Sequence, residues 1–310
     1  MNELGYAYAF GGDFEKAFAA MERYIALQPD QPNPHDSYGE ILRLSGKFDA
    51  ALEQYRMSIR IDPNFGSELG VADTYAVMGK QEEARDEYAR AVVFAPGESE
   101  KVEYELQSAV TWIRENNRKQ AERALREVAK HAHGAGLARL EAEAHRVLAM
   151  YEPDYKAAMK HLQAAQSAID DDRHDLSRSD RNEEQARILR VRATRSAEAQ
   201  AMEAASSAVQ QLESMAGSSR SRVIQLSYHG ALGAVLLAQQ KYPEAISHLQ
   251  EDDDDPLSLQ LLWRAYSSRG EAARAGEVAT RLAGLNVPTV EQALVVPQFR
   301  ASLVRQDGQP

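Results

Sequence analysis

Apolar and small residues recur along the first third of the chain with a long period. The segments LGYAYAFGGDFEKAFAAMERYIALQP, YGEILRLSGKFDAALEQYRMSIRIDP and VADTYAVMGKQEEARDEYARAVVFAP fall into register. Gly12, Gly46 and Gly79 are separated by steps of 34 and 33 residues, and Ala17, Ala51 and Ala84 and then Pro29, Pro63 and Pro96 keep the same steps. Phe14 matches Phe48, and Met21, Tyr55 and Tyr88 form a further column. Each column has a physical reading. Gly5, Gly39 and Ala72 are small where two helix backbones must approach. The second glycine column ends a first helix, because a positive φ costs glycine nothing. The alanine column marks a helix crossing that a larger side chain would force apart. The closing proline follows a second helix whose hydrogen-bond ladder it cannot continue. Tyr8, Leu42 and Tyr75, with Met21, Tyr55 and Tyr88, are expected to fill the space between the helices. Each unit is therefore predicted to be an antiparallel helix pair that buries its apolar face only by stacking on neighbours.

This pattern resembles the tetratricopeptide repeat, whose period is about 34 residues. The resemblance implies an all-α, right-handed superhelical solenoid of antiparallel hairpins. It is strongest over residues 1–96, as three units, and returns over 223–286 as two more. There ALGAVLLAQQKYPEAISHLQ supplies Leu232, Gly233, Leu236, Tyr242, Ala245 and Leu249, and the last unit supplies Tyr266, Gly270 and Ala275, with Trp263 where the family prefers glycine. Residues 97–222 read as divergent, expanded hairpins: Asn116 replaces a turn glycine, and Ala121, Leu125, Ala158 and Leu162 keep their columns. The charged stretch 170–184 reads as a solvent loop or a ragged helix start. Residues 287–310 read as a cap of two short helical pieces, near 289–295 and 297–305, that place Val290, Leu294, Phe299 and Leu303 over the last hairpin. About eight helix pairs fit the chain. Leu4 and Gly5 already occupy the middle columns of a first helix, so the array is expected to begin inside a repeat.

Composition narrows the function. The 310 residues include 47 acidic and 36 basic side chains, a net charge of −11, and no cysteine. Such a chain repels phosphate backbones and anionic lipid, so neither a nucleic-acid nor a membrane partner is expected. Disulfides and thiolate metal sites are excluded. No apolar run approaches the roughly 20 residues of a membrane helix, and MNELGYAYAF lacks a signal-peptide layout. A cytoplasmic location is expected, with the periplasm left open.

Candidate chemistry is sparse. His131 and His133 are two residues apart and would project from a helix in different directions. His35, His145, His161, His174, His229 and His248 are scattered, and no histidine pair has the spacing of a helical metal site. The run 251–256, EDDDDP, lacks the alternation and glycine of a calcium loop. It reads as a solvated turn in which Asp254 or Asp255 caps the next helix, and Asp170–Asp172 read the same way. GAG at 134–136 and the GG at 11–12 lack the lysine and spacing of a phosphate loop. No catalytic residue, cofactor or metal is expected.

What remains is surface. The resemblance implies a concave groove lined by the first helices, at Tyr6, Ala9 and Phe10, then Asp36, Glu40, Arg43 and Leu44, then Leu69, Asp73, Ala76 and Val77. One subclass of the family holds chaperone C-terminal carboxylates through lysine and asparagine at such positions. Tyr6, Glu40 and Asp73 stand there in this chain, so a partner segment bearing Lys or Arg and one apolar anchor is expected instead. The leading expectation is a non-catalytic scaffold that binds a partner peptide or helix, or another part of its own chain, in that groove. The alternative is the regulatory or sensor region of a larger bacterial signalling or transcription-regulating protein.

Overall fold

The computed structural model describes residues 1–171 and 176–307, so Asp172 and His174 lie outside the described residues. Every element among the described residues is an α-helix. The chain divides into two compact units, one made of residues 1–121 with 284–293, the other of 122–283 with 294–310.

The first unit holds α1 (Asn2–Phe10), α2 (Phe14–Leu27), α3 (Pro32–Leu44), α4 (Phe48–Ile61), α5 (Glu68–Met78), α6 (Gln81–Phe94) and α7 (Glu98–Arg114). The hairpins are α1/α2, α3/α4 and α5/α6, and first helices stack on first helices from α1 through α3 and α5 to α7. The small-residue columns do what their size dictates. A Cβ built on Gly5 would lie 2.1 Å from Met21 Cε, and one on Gly39 would lie 3.0 Å from the Tyr55 ring. Ala17, Ala51 and Ala84 are fully buried at the crossings, as are Met21, Tyr55 and Tyr88 between helices.

The turns between paired helices share one geometry. Gly12 (φ 78°), Gly46 (82°) and Gly79 (87°) are left-handed, and the next residue's N–H donates to a carbonyl five positions back, as in Asp13 to Tyr8, Lys47 to Leu42 and Lys80 to Tyr75. This 6→1 closure satisfies a carbonyl that the helix end leaves open. Asn116 (φ 54°) and Gln200 (58°) in the divergent region, and Gln240 (61°) in the later units, take the same conformation without the glycine. Asparagine tolerates it through its short polar side chain, whereas glutamine has no such aid.

The helix α8 (Arg118–Gly134) follows, and the second unit contains α9 (Ala138–Tyr151), α10 (Tyr155–Asp171), α11 (Arg178–Glu198), α12 (Met202–Ser218), α13 (Arg222–Ala238), α14 (Tyr242–Gln250), α15 (Pro256–Ser268) and α16 (Ala272–Ala283). Of the two readings of 170–184, the helix start holds over the described C-terminal part, where α11 begins at Arg178, and the solvent loop is corrected there. Ser177 caps α11 by accepting from the Asp180 N–H, and Glu184, 1% exposed, accepts from Arg146 Nε at 2.9 Å. A charged stretch is solvated only where its charges lack partners; here an arginine on α9 brings Glu184 inside. The acidic run 251–256 divides in the same way. Asp255 caps α15 by accepting from Leu257 N–H (2.7 Å) and Ser258 N–H (3.2 Å). Asp252, 3% exposed, accepts from Arg190 (2.7 Å) and the Ser258 hydroxyl (2.5 Å), so it is a buried anchor and not a solvated turn residue. The expected pair of terminal pieces is one helix, α17 (Val290–Asp307), with Pro297 inside it. A proline removes one rung of the ladder, and buried Val295, Val296 and Phe299 hold the helix on either side, with Phe299 edge-on to Trp263 at 5.1 Å.

Two outcomes follow from this packing. Gln200→Gly and Gln240→Gly each relieve a left-handed strain of about 1 kcal/mol, so each raises the midpoint of urea unfolding; a lowered midpoint contradicts the turn geometry. Burial pushes the Asp252 carboxyl up to about 6 against the pull of Arg190. Its folded state therefore holds the proton more tightly than the unfolded chain, and stability from this group falls as pH rises from about 4 to about 6. Urea titrations across that range should show the wild type losing stability relative to Asp252→Asn, and parallel curves would refute the assignment.

Candidate functional site

The first-helix face of the first unit carries the sequence-predicted positions, and α1, α3 and α5 bring several of them together. The Tyr6 hydroxyl donates to Glu40 Oε2 at 2.6 Å, across one full repeat. Burial raises the Tyr6 pKa, and the neighbouring Glu40 carboxylate raises it further, so this phenol stays a donor. The Phe10 ring stacks on Tyr6 with centroids 6.1 Å apart and is itself 79% exposed. Glu40 also faces the Arg43 guanidinium at 3.6 Å.

Deeper in this face the polar groups pair with one another. Asp36 accepts from the Ser67 hydroxyl at 2.6 Å, and Ser67 also lies 2.8 Å from the Ser58 hydroxyl. Asp73 accepts from the Tyr88 hydroxyl at 2.6 Å. Burial raises the pKa of both aspartates; the Ser67 hydrogen bond opposes this at Asp36, and Arg43 with the Tyr88 hydrogen bond opposes it at Asp73. Arg43, though also disfavoured by burial, is held charged by Tyr55 and Asp73. The alternation of acid, phenol and guanidinium is thus largely an internal network. It satisfies buried charges, which are costly when left alone.

The predicted positions therefore separate by exposure. Phe10 is exposed, and Tyr6, Asp36, Glu40, Leu44, Leu69 and Asp73 are half-buried. Arg43, Val77, Ala9 and Ala76 are buried. Sequence reasoning had no signal for one further participant. Residues 284–293 belong to this unit, and Arg43 Nη1 donates to the Asn286 carbonyl at 3.0 Å while Asn286 Nδ2 donates to the Leu44 carbonyl at 3.3 Å.

Histidines scattered in sequence meet in the second unit. His229 and His248 place their Nδ1 atoms 2.9 Å apart, and the rings of His145 and His161 stack at 5.8 Å. Burial lowers the pKa of His145, His161 and His248. Among the described residues, no group of three or more His, Asp or Glu side chains is placed to hold a metal ion, and no helix is long and apolar enough to cross a membrane.

Residues 1–31 match the tetratricopeptide repeat model. Among solved structures, the chain is similar to a tetratricopeptide repeat protein from Parabacteroides merdae, with 16% identity, 85% of this chain and 96% of that one covered, and a TM-score of 0.53. It is similar to a Rap protein complexed with Competence and Sporulation Factor, with 12% identity, 94% and 81% covered, and a TM-score of 0.50. A third match is to the APC/C hetero-tetramer Cut9–Hcn1, with 18% identity, 84% of this chain covered and a TM-score of 0.48; this chain spans about half of that one, 48%. No curated protein sequence matches the chain. The fold is that of tetratricopeptide-repeat proteins.

Proposed function

We propose that the first unit docks a partner peptide or helix on the face of α1, α3 and α5, and that the protein acts as a non-catalytic scaffold. The observation that carries this reading is the Phe10 ring, exposed yet fixed by stacking on Tyr6, beside the Glu40 carboxylate that Tyr6 orients. A rigid aromatic with an adjacent charge is the kind of anchor on which interface energy concentrates. Its complement is a segment with one apolar residue for Phe10 and one Lys or Arg for Glu40. The same fold carries a bound factor in the Rap complex, which supports a docking role without specifying this chain's partner.

The test is a titration of synthetic peptides that each pair one Lys or Arg with one Leu or Phe, against the wild type, Phe10→Ala and Glu40→Gln. Loss of an anchor of about 2 kcal/mol predicts binding more than tenfold weaker for Phe10→Ala. Glu40→Gln should weaken binding at low salt and remove most of its salt dependence. Equal affinity across the three proteins, or no binding by any peptide while helicity is intact, would overturn the proposal.

A further inference from the structure

We infer that residues 284–293 are a built-in occupant of the Arg43 end of this face, displaceable by a partner segment that brings an Asn or Gln side chain to the same place. The inference rests on the docking role proposed above and adds its regulation and a second recognition element. The expected groove positions Arg43 and Leu44 are engaged by the chain itself, and by one residue. Asn286 accepts from Arg43 through its backbone carbonyl and donates through its side chain to the Leu44 carbonyl. The Leu44 carbonyl is one of those that a helix end leaves without an intrahelical partner, and Arg43 stands in the last turn of the same helix. A reciprocal clamp on one asparagine is how a protein holds a peptide ligand by its backbone and one side chain together.

A second attachment stands at the other end of the segment. Gln292, 1% exposed, donates through Nε2 to the Leu285 carbonyl at 3.0 Å and accepts from Arg114, an arginine in the last turn of α7. Between the clamps, residues 285–289 form neither helix nor strand, and Val287 is 37% exposed. Val290 and Ala293 anchor the segment where it enters α17, whereas over 285–289 Asn286 alone is buried, and a stretch with few buried apolar contacts opens at low cost.

Arg43 also shows that the fit is incomplete. Its Nε is buried without a hydrogen-bond partner, while Nη1 serves the Asn286 carbonyl and Nη2 faces Glu40 at 3.6 Å. A guanidinium is built to grip two acceptors in one plane. A ligand that supplies an acceptor to Nε gains where the chain's own segment leaves this buried donor open. With Glu40 and Asp73 close to Arg43, that acceptor is the neutral oxygen of an Asn or Gln amide, because a carboxylate would meet two others.

The experiment uses fluorescein-labelled AGLNVPTVEQA, residues 283–293, and the same peptide carrying Asn286→Ala. Both are titrated by polarisation into the full-length wild type and into a full-length chain bearing Asn286→Ala with Gln292→Ala. The opened chain should bind the native peptide at least tenfold more tightly than the wild type does, and the peptide lacking the asparagine should bind it at least tenfold more weakly. Equal affinities for the two chains, or binding indifferent to the asparagine, would overturn the inference. If the double variant loses its helicity, hydrogen exchange on the wild type decides. Amides of 285–289, Pro288 aside, should exchange at least a hundredfold faster than those in the middle of α3, and comparable protection would overturn it. The Phe10 and Glu40 titrations are independent of either result, so failure here leaves the docking reading standing.

Discussion

Two helices of a hairpin can cross closely only where one of them carries almost no side chain, and in the first unit that constraint is met by wedging a large residue against a glycine. Met21 faces Gly5, and the Tyr55 ring faces both Gly39 of its own hairpin and Gly70 of the next. Tyr55 is buried within the cluster that joins α1 through α4 and reaches Val71 at the start of α5. One ring therefore closes its own hairpin and sets the stacking distance to the following one. The proposed docking face depends on this spacing, because Tyr6 reaches Glu40 only when α1 and α3 lie side by side.

The hairpins of the first third were legible because their constraint is local and periodic. Gly5, Gly39, Ala17, Ala51, Met21 and Tyr55 recur in register, and each recurrence reports a contact within one hairpin or with its neighbour. The contacts that sequence missed have no period. Gly70 lies outside the repeating columns, although its approach to Tyr55 is closer than that of Gly39. Gln200 and Gln240 hide turns that glycine would have announced. Asp252 and Glu184 stand among charges, and only the positions of Arg190 and Arg146 on other helices bring them inside. The Arg43 clamp on Asn286 joins residues 243 positions apart, a separation no spacing rule can anticipate.

The same distinction governs the candidate site. Aligning first helices named Tyr6, Phe10, Glu40 and Arg43 together, since the repeat fixes which face they share. It could not say that Arg43 faces inward. Repeat register gives the face of a helix, whereas exposure depends on what else the chain lays over that face, and here residues 284–293 lie there. What stays open is aromatic and acidic, and what is covered is the guanidinium end. If this face docks a partner as proposed, the partner binds only to the extent that it outcompetes that segment.

The wedge itself is tested most directly by Gly70→Ala in equilibrium urea unfolding of the full chain. Helix propensity alone favours alanine by about 1 kcal/mol. A Cβ there would lie 2.2 Å from the Tyr55 ring, and overpacking of that kind costs about 1–3 kcal/mol. A fall in unfolding free energy, largely recovered when Tyr55→Leu is added, is the result this account predicts; a gain in stability from the alanine alone would contradict it.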